Sequence, residues 1–382
     1  MIVAGLRWAL LSFALFSVAC GLLTTVIAPD WIDWRIRMVL GLIVAEAGLW
    51  LSLLPLAVAV AAWFLRRGSP PAAAVTIACC LLAATLMIKP AFQASRLSRA
   101  LPGELAKSFG PAQPRQTPFF MTPKFHGTLP EAPVRTMRYS GSQRLDFYRA
   151  AGGSPAPCVI VLHGGGWYSG NRQESTWFDH RLAQLGYAVA AIDYRLAPAA
   201  TWPAQRDDVV AAVAFLRAQA AELGIDPQRL VLLGRSAGGQ LALATAYGQR
   251  DSGIRGVIAF YAPSDLAGPF DAGSRSDVQI RKMIERFMGG TPAEIPAAYQ
   301  SASAQRLAVA GATPTLLLHG ELDSLVSSSE SELLGEKLGS LGVPHAVVLL
   351  PWATHGFDFA RNGPGDRLAS YAIEWFLSAV TR

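Results

Sequence analysis

The chain has 382 residues, 52% of them hydrophobic and only 16% charged, against about 25% charged in ordinary soluble domains. Those numbers exclude intrinsic disorder, and four cysteines are too few for a disulfide-stapled scaffold. The net charge of +6 is local: residues 1–110 hold nine Lys/Arg and four acids, and the remainder 24 basic and 23 acidic residues. A nucleic-acid-binding domain concentrates positive charge on its folded unit, so nucleic acid is not expected as a partner.

Three apolar runs come first: 8–28 without charge, 38–64 with Glu46 alone, and 72–88 without charge. Lengths near twenty with basic residues only at the flanks predict three transmembrane helices in a membrane anchor over 1–88. Arg7 before the first run and Val26-Ile27-Ala28 at its end resemble a signal peptide. A signal core is roughly 7–15 residues, though, so a retained span is expected. Glu46 is read as held by a Ser or Thr of a neighbouring helix or lying near the headgroups, rather than as a proton relay. Arg7 ahead of the first span favours a cytoplasmic N-terminus, which with three spans places the rest of the chain outside the cytoplasm.

Residues 89–133 carry eight prolines. That density predicts an extended, semi-rigid linker, within which 92–106 has the pattern of a short basic helix suited to the membrane surface.

From 134 to 382 the pattern alternates. Val134–Arg138 and Arg144–Tyr148 read as an antiparallel pair. Continuous apolar runs then follow at 158–162, 188–193, 230–233, 256–261, 315–318 and 346–350. Runs of this kind suit strands buried on both faces. Helical patterns fall at 176–186, 206–223, 237–248, 328–340 and 366–380, so an α/β domain with a mostly parallel sheet and helices on both faces is expected. Ligands in such sheets bind beyond the carboxyl ends of the strands.

Four strand ends carry reactive residues. Gly234-Arg235-Ser236-Ala237-Gly238 is a G-x-S-x-G between a strand and an apolar helix, the setting of a strained, exposed serine nucleophile. His163-Gly164-Gly165-Gly166-Trp167 offers open backbone amides suited to an oxyanion. Phosphate-loop and dinucleotide-loop spacings are absent, and His163 is read as a brace for that loop. A serine needs a base and the base an orienting acid. Asp323 in His319-Gly320-Glu321-Leu322-Asp323 and His355 in Thr354-His355-Gly356-Phe357 supply them, with Glu321 and Asp358 as rival acids. Asp207 and Asp208 are read as structural, and His126, His180, His319 and His345 as loop or surface residues. No metal or cofactor is implied.

This region resembles the α/β-hydrolase fold and, within it, the hormone-sensitive-lipase-like and bacterial esterase families. It has H-G-G-G-W, D-Y-R-L-A-P from Asp193, Trp202-Pro203-Ala204 followed by an Asp, G-x-S-A-G-G, H-G-x-x-D and H-G-F. The resemblance implies Ser236 as nucleophile, His355 as base and Asp323 as orienting acid. It implies an oxyanion hole of the Gly165, Gly166 and Ala237 amides, with Gly164 a one-position rival. Arg235 departs from the family pattern, where Asp or Gly is common.

The expectation is a serine hydrolase of carboxylic esters, a carboxylesterase, lipase-like enzyme or deacetylase, anchored in a bacterial plasma membrane and taking a small-molecule or lipid-like ester. Amidase, aryl formamidase, peptidase and acyltransferase chemistry with the same residues are the enzymatic alternatives, and a catalytically silent membrane scaffold is the non-enzymatic one. Between the sixth and seventh strands, 267–296 occupies the place of a cap. Ile280, Met283, Ile284, Phe287 and Met288 recur there at helical spacing, facing either an acyl pocket or the core.

Overall fold

The computed structural model describes residues 2–26, 34–112, 114, 134–153, 155–271 and 278–382. The end of the first apolar run (27–28), His126 and nearly all of 113–133 lie outside the described residues. Four helices come first: α1 (Ile2–Leu22), α2 (Trp34–Leu51), α3 (Leu53–Phe64) and α4 (Pro70–Phe109). Among the described residues, α1 and α4 are long and apolar enough to cross a membrane, and α2 with α3 passes only as a pair bent by 53°.

The single span expected over 38–64 is therefore broken, and Pro55 supplies the reason. It cannot bond back to residue 51, and its ring clashes with that residue's carbonyl, so the helix interrupts at Leu51–Ser52.

Residues 89–109 are not extended either. They complete the 40-residue α4 despite Pro90 and Pro102 inside it. Each interior proline costs about 3 kcal/mol. At Pro90 the carbonyl that loses its partner belongs to Leu86, and the Thr24 hydroxyl in the turn after α1, shared with the Gly21 carbonyl, lies 3.0 Å from it. Beyond Pro90, the buried residues Ala91, Ala94, Ser98, Leu101 and Leu105 recur at three- and four-residue steps. This stripe faces the C-terminal α/β unit rather than a membrane surface: Ala94, Leu101 and Leu105 share a core with Tyr371, Phe376 and Leu377, and the rings of Phe109 and Phe376 meet edge to face.

The α/β part holds one eight-stranded sheet of order β1-β2-β4-β3-β5-β6-β7-β8. Its strands are β1 (Val134–Ser140), β2 (Gln143–Tyr148), β3 (Ala156–Leu162), β4 (Ala188–Ile192), β5 (Ile225–Arg235), β6 (Ile254–Phe260), β7 (Thr315–Gly320) and β8 (His345–Leu350). The β1–β2 and β2–β4 pairings are antiparallel and the others parallel, as the continuous apolar runs imply. Side chains alternate across the sheet, so Ile160 and Leu162 enter one core while Val159 and Val161 enter the other. The covering helices are α5 (Thr176–Gln184), α6 (Ala204–Ala218), α7 (Ala220–Leu223), α8 (Ala237–Gln249), α9 (Val278–Met288), α10 (Pro296–Ala302), α11 (Ala304–Leu307), α12 (Ser329–Ser340) and α13 (Pro364–Val380).

Among the described residues Glu46 is held by neither a serine nor a threonine. Its buried carboxylate accepts the Trp352 indole N–H at 3.1 Å and the Gly365 amide at 2.8 Å. A side chain at Gly365 would come within 2.8 Å of that carboxylate, so glycine makes the approach possible. Helix α2 is thereby fastened to the loop that follows β8 and to the first turn of α13.

Candidate active site

Ser236 sits between β5 and α8 at φ 51°, ψ −119°, a region that costs a non-glycine residue of order 1–3 kcal/mol. The flanking glycines are obligatory. A Cβ on Gly234 would strike the Gly238 carbonyl, and one on Gly238 the carbonyls of Leu162 and His163. The turn lifts Ser236 Oγ to 3.0 Å from His355 Nε2, and His355 Nδ1 lies 2.6 Å from Asp323 Oδ2. The other Asp323 oxygen accepts the amides of Leu325 and Val326 at 2.8 and 2.9 Å. Burial pushes the Asp323 carboxyl up, but the adjacent His355 and the hydrogen bonds from His319 and His355 outweigh it and hold it well below the usual carboxylate range.

The rival acids lie elsewhere. Asp358 accepts Arg235 Nε at 2.6 Å and the Tyr261 hydroxyl at 2.6 Å, and Glu321 is exposed. Arg235, the departure from the family pattern, is buried, with its guanidinium over the rings of Phe178 and Phe260. Through Asp358 and Tyr261, whose ring lies 4.4 Å from that of His355, it supports the histidine loop.

The glycine loop after β3 is shaped for close approach: Gly165 and Gly166 have φ of 98° and 61°. The Gly164 amide donates to Glu174 at 2.9 Å and is therefore engaged. Among the described residues nothing accepts from the amides of Gly165, Gly166 or Ala237, and all three residues line one cavity with Ser236 and His355. His163 is a brace: Nδ1 lies 2.8 Å from the Gly164 carbonyl and the ring stacks on Tyr194 at 4.1 Å. Burial lowers its pKa. Asp208 is structural, bonding the Arg195 amide and guanidinium.

The cavity is about 460 Å³. Both readings of 280–288 hold in part: Ile280, Met283 and Ile284 reach the cavity, while Phe287 and Met288 are buried in the core. Four residues escaped the sequence reasoning. Glu174 stands in an unremarkable polar stretch with nothing to mark it. His319, taken for a surface residue, is fully buried 3.5 Å from Asp323 Oδ2, and its place at the end of an apolar strand was the available signal. Met38 and Leu42 of α2 line the cavity too. Gly41, Ala45 and Gly48 among larger residues mark that face as a packing surface, a signal the hydropathy of the run conceals.

A mostly parallel eight-stranded sheet, a strained serine at a strand-to-helix turn, and an Asp and a His brought to it from later strand ends define an α/β-hydrolase fold. The BD-FAE family model matches residues 145–338. The chain belongs to that family, within the esterase–lipase group. Esterase LipQ of Mycobacterium tuberculosis is 30% identical over 249 residues, covering 62% of this chain and 59% of LipQ. Ethyl acetate hydrolase of Pseudomonas putida is 30% identical over 248 residues, covering 60% of this chain and 74% of its own. The match thus spans 59% of the length of LipQ. Among solved structures, a bacterial heroin esterase is similar at TM-score 0.57 and 27% identity, over 65% of this chain and 85% of that one. A hyperthermophilic esterase from Pyrobaculum calidifontis is similar at TM-score 0.58 and 26% identity, over 66% and 86%.

Proposed function

We propose that the protein is a membrane-anchored serine hydrolase of carboxylic esters. The observation that carries this reading is the hydrogen-bonded line from Ser236 through His355 to Asp323, opening on a cavity with three free amides. Relatives that are named esterases support the same chemistry. His355 Nε2 takes the Ser236 proton as Oγ attacks the ester carbonyl, and the amides of Gly165, Gly166 and Ala237 receive the oxyanion. The tetrahedral intermediate collapses as His355 gives its proton to the leaving alcohol. A water activated by the same imidazole then releases the acid and regenerates Ser236. Asp323 keeps Nδ1–H facing itself, so Nε2 stays available as the base.

The anchor over 1–88 comprises α1, the bent pair α2–α3 as one broken crossing, and the first half of α4, with the hydrolase domain over 134–382. A side chain at Gly68 would collide with Arg7, so Arg7 lies against the turn that carries Arg66 and Arg67. These cations share the end of the helical unit remote from the Thr24–Leu86 contact, while Arg35, Arg37, Lys89, Arg96 and Arg99 flank the opposite ends of the apolar runs in sequence. The orientation therefore rests on Arg7 ahead of the first span, which favours a cytoplasmic N-terminus, and not on a charge count. The hydrolase domain then lies outside, which a C-terminal reporter fusion tests. Fluorophosphonate labelling of the full chain tests the chemistry. Wild type labels and Ser236→Ala does not; a wild type that stays unlabelled removes the hydrolase reading. p-Nitrophenyl esters are cleaved and the matching anilides far more slowly; the opposite order makes the protein an amidase.

A further inference from the structure

Helix α2 belongs to a run hydrophobic enough to pass for membrane-buried, yet it forms part of the cavity that holds Ser236. Met38 and Leu42, one turn apart on the same helical face, line that cavity. The helix is fixed there by specific contacts. Glu46 accepts from Trp352 and Gly365, and a Cβ on Gly41 would stand 2.7 Å from Thr354 Cγ2. Thr354 precedes His355, so α2 covers the histidine side of the cavity. Another wall is α9, which lies on the glycine loop instead. Met283 sits against Gly166, where a Cβ would meet its sulfur at 2.8 Å, and the Tyr168 hydroxyl donates to the Met283 carbonyl.

The chemistry distinguishes the two sides. The imidazole must reach the leaving oxygen to protonate it, so the alcohol part of an ester departs along the His355 side and the acyl part lies toward the other wall. The far face of α2 is apolar and uncovered: Ile36, Val39, Leu40 and Ile43 are each about half exposed. It runs on through exposed Trp50, Leu53 and Leu54 toward the helices of the anchor. An apolar helix face continuous with membrane-crossing helices suits the bilayer interface.

Resting on the hydrolase reading, we infer that α2 is a substrate-specificity element: Met38 and Leu42 form the wall that receives the alcohol part. The preferred substrates are esters of long apolar alcohols drawn from the bilayer.

The test uses the full chain in lipid nanodiscs with two ester series. One varies the alcohol (ethyl, hexyl and decyl acetate) and the other the acid (ethyl acetate, hexanoate and decanoate). In wild type kcat/KM rises along the alcohol series. Leu42→Trp lowers the decyl-to-ethyl acetate ratio at least tenfold and leaves the decanoate-to-acetate ratio of the ethyl esters within twofold. The double variant Met38→Ala/Leu42→Ala flattens the alcohol series by removing contact rather than adding bulk. Complete fluorophosphonate labelling at saturating reagent, at whatever rate, shows that the site is assembled in each variant. A decyl-to-ethyl ratio unchanged in both variants, or a loss that falls on the acyl series instead, overturns the assignment to α2. Failure of the wild type to label removes the hydrolase reading itself, a separate outcome.

Discussion

Asp323→Asn is the substitution whose effect follows most directly from the hydrogen bonds at the site. One Asp323 oxygen accepts two backbone amides, from Leu325 and Val326. In an asparagine only the amide oxygen can fill that position, so the NH2 group must take the place of the oxygen 2.6 Å from His355 Nδ1. Two donors would then face each other. Imidazole resolves the conflict by moving its proton to Nε2, where it points at Ser236 and can no longer act as a base. The shape of the side chain is conserved and its backbone contacts remain, so the fold is retained while the proton acceptor is lost. The expected cost is about 10³–10⁴ in kcat, or about 4–5.5 kcal/mol of transition-state stabilisation. Steady-state hydrolysis of p-nitrophenyl acetate measures it, with thermal melting in the same detergent to establish folding. Asp358→Asn and Glu321→Gln are the controls, and neither should reproduce a loss of that size. A folded Asp323→Asn enzyme within tenfold of wild type would refute the orienting role.

Two further substitutions probe the surroundings. Gly238→Ala places a methyl group against the carbonyls of Leu162 and His163; since these are backbone atoms of β3 and its loop, relief requires separating strand from helix. A loss of about 3 kcal/mol is expected in denaturant titration, and an unchanged midpoint contradicts the packing described. Asp179 is buried beside a small cavity, and among the described residues neither of its oxygens has a hydrogen-bond partner. Burial raises its carboxyl to about 8 even with Arg235 pulling the other way. A carboxyl raised on folding contributes stability that is complete below its unfolded value and lost as pH rises through the folded one. Wild type therefore loses up to about 1.4 kcal/mol per pH unit between pH 5 and 8 from this group. Asp179→Asn lacks that slope, so its melting temperature gains on wild type across the window; parallel curves would show that Asp179 stays ionised in the folded protein.

What could be read along the chain was whatever depends on neighbours in sequence. A run such as Val159–Leu162 must be a doubly buried strand because nothing polar interrupts it. Gly234 and Gly238 must bracket Ser236 because no side chain fits that turn. The order serine, acid, histidine then follows from which strand ends carry reactive groups. Helical periodicity likewise located α5, α8, α12 and α13.

Only the tertiary structure decided which carboxylate meets His355. Asp323 and Asp358 both stand near strand ends, and the choice turns on Arg235 and Tyr261 engaging Asp358 from other strands. It also decided the fate of the apolar N-terminal runs and of the proline-rich segment after them. Hydropathy reports how readily a segment leaves water and is silent on whether lipid or protein receives it. For α2 the receiver is the hydrolase domain, through a carboxylate whose partners lie 306 and 319 residues away. For the second half of α4 it is α13, whose burial of a stripe of alanines and leucines offsets prolines that locally favour an extended chain. Contacts at such separations leave no periodic trace in either segment, because each half of the contact is an ordinary residue until the fold brings the other half to it.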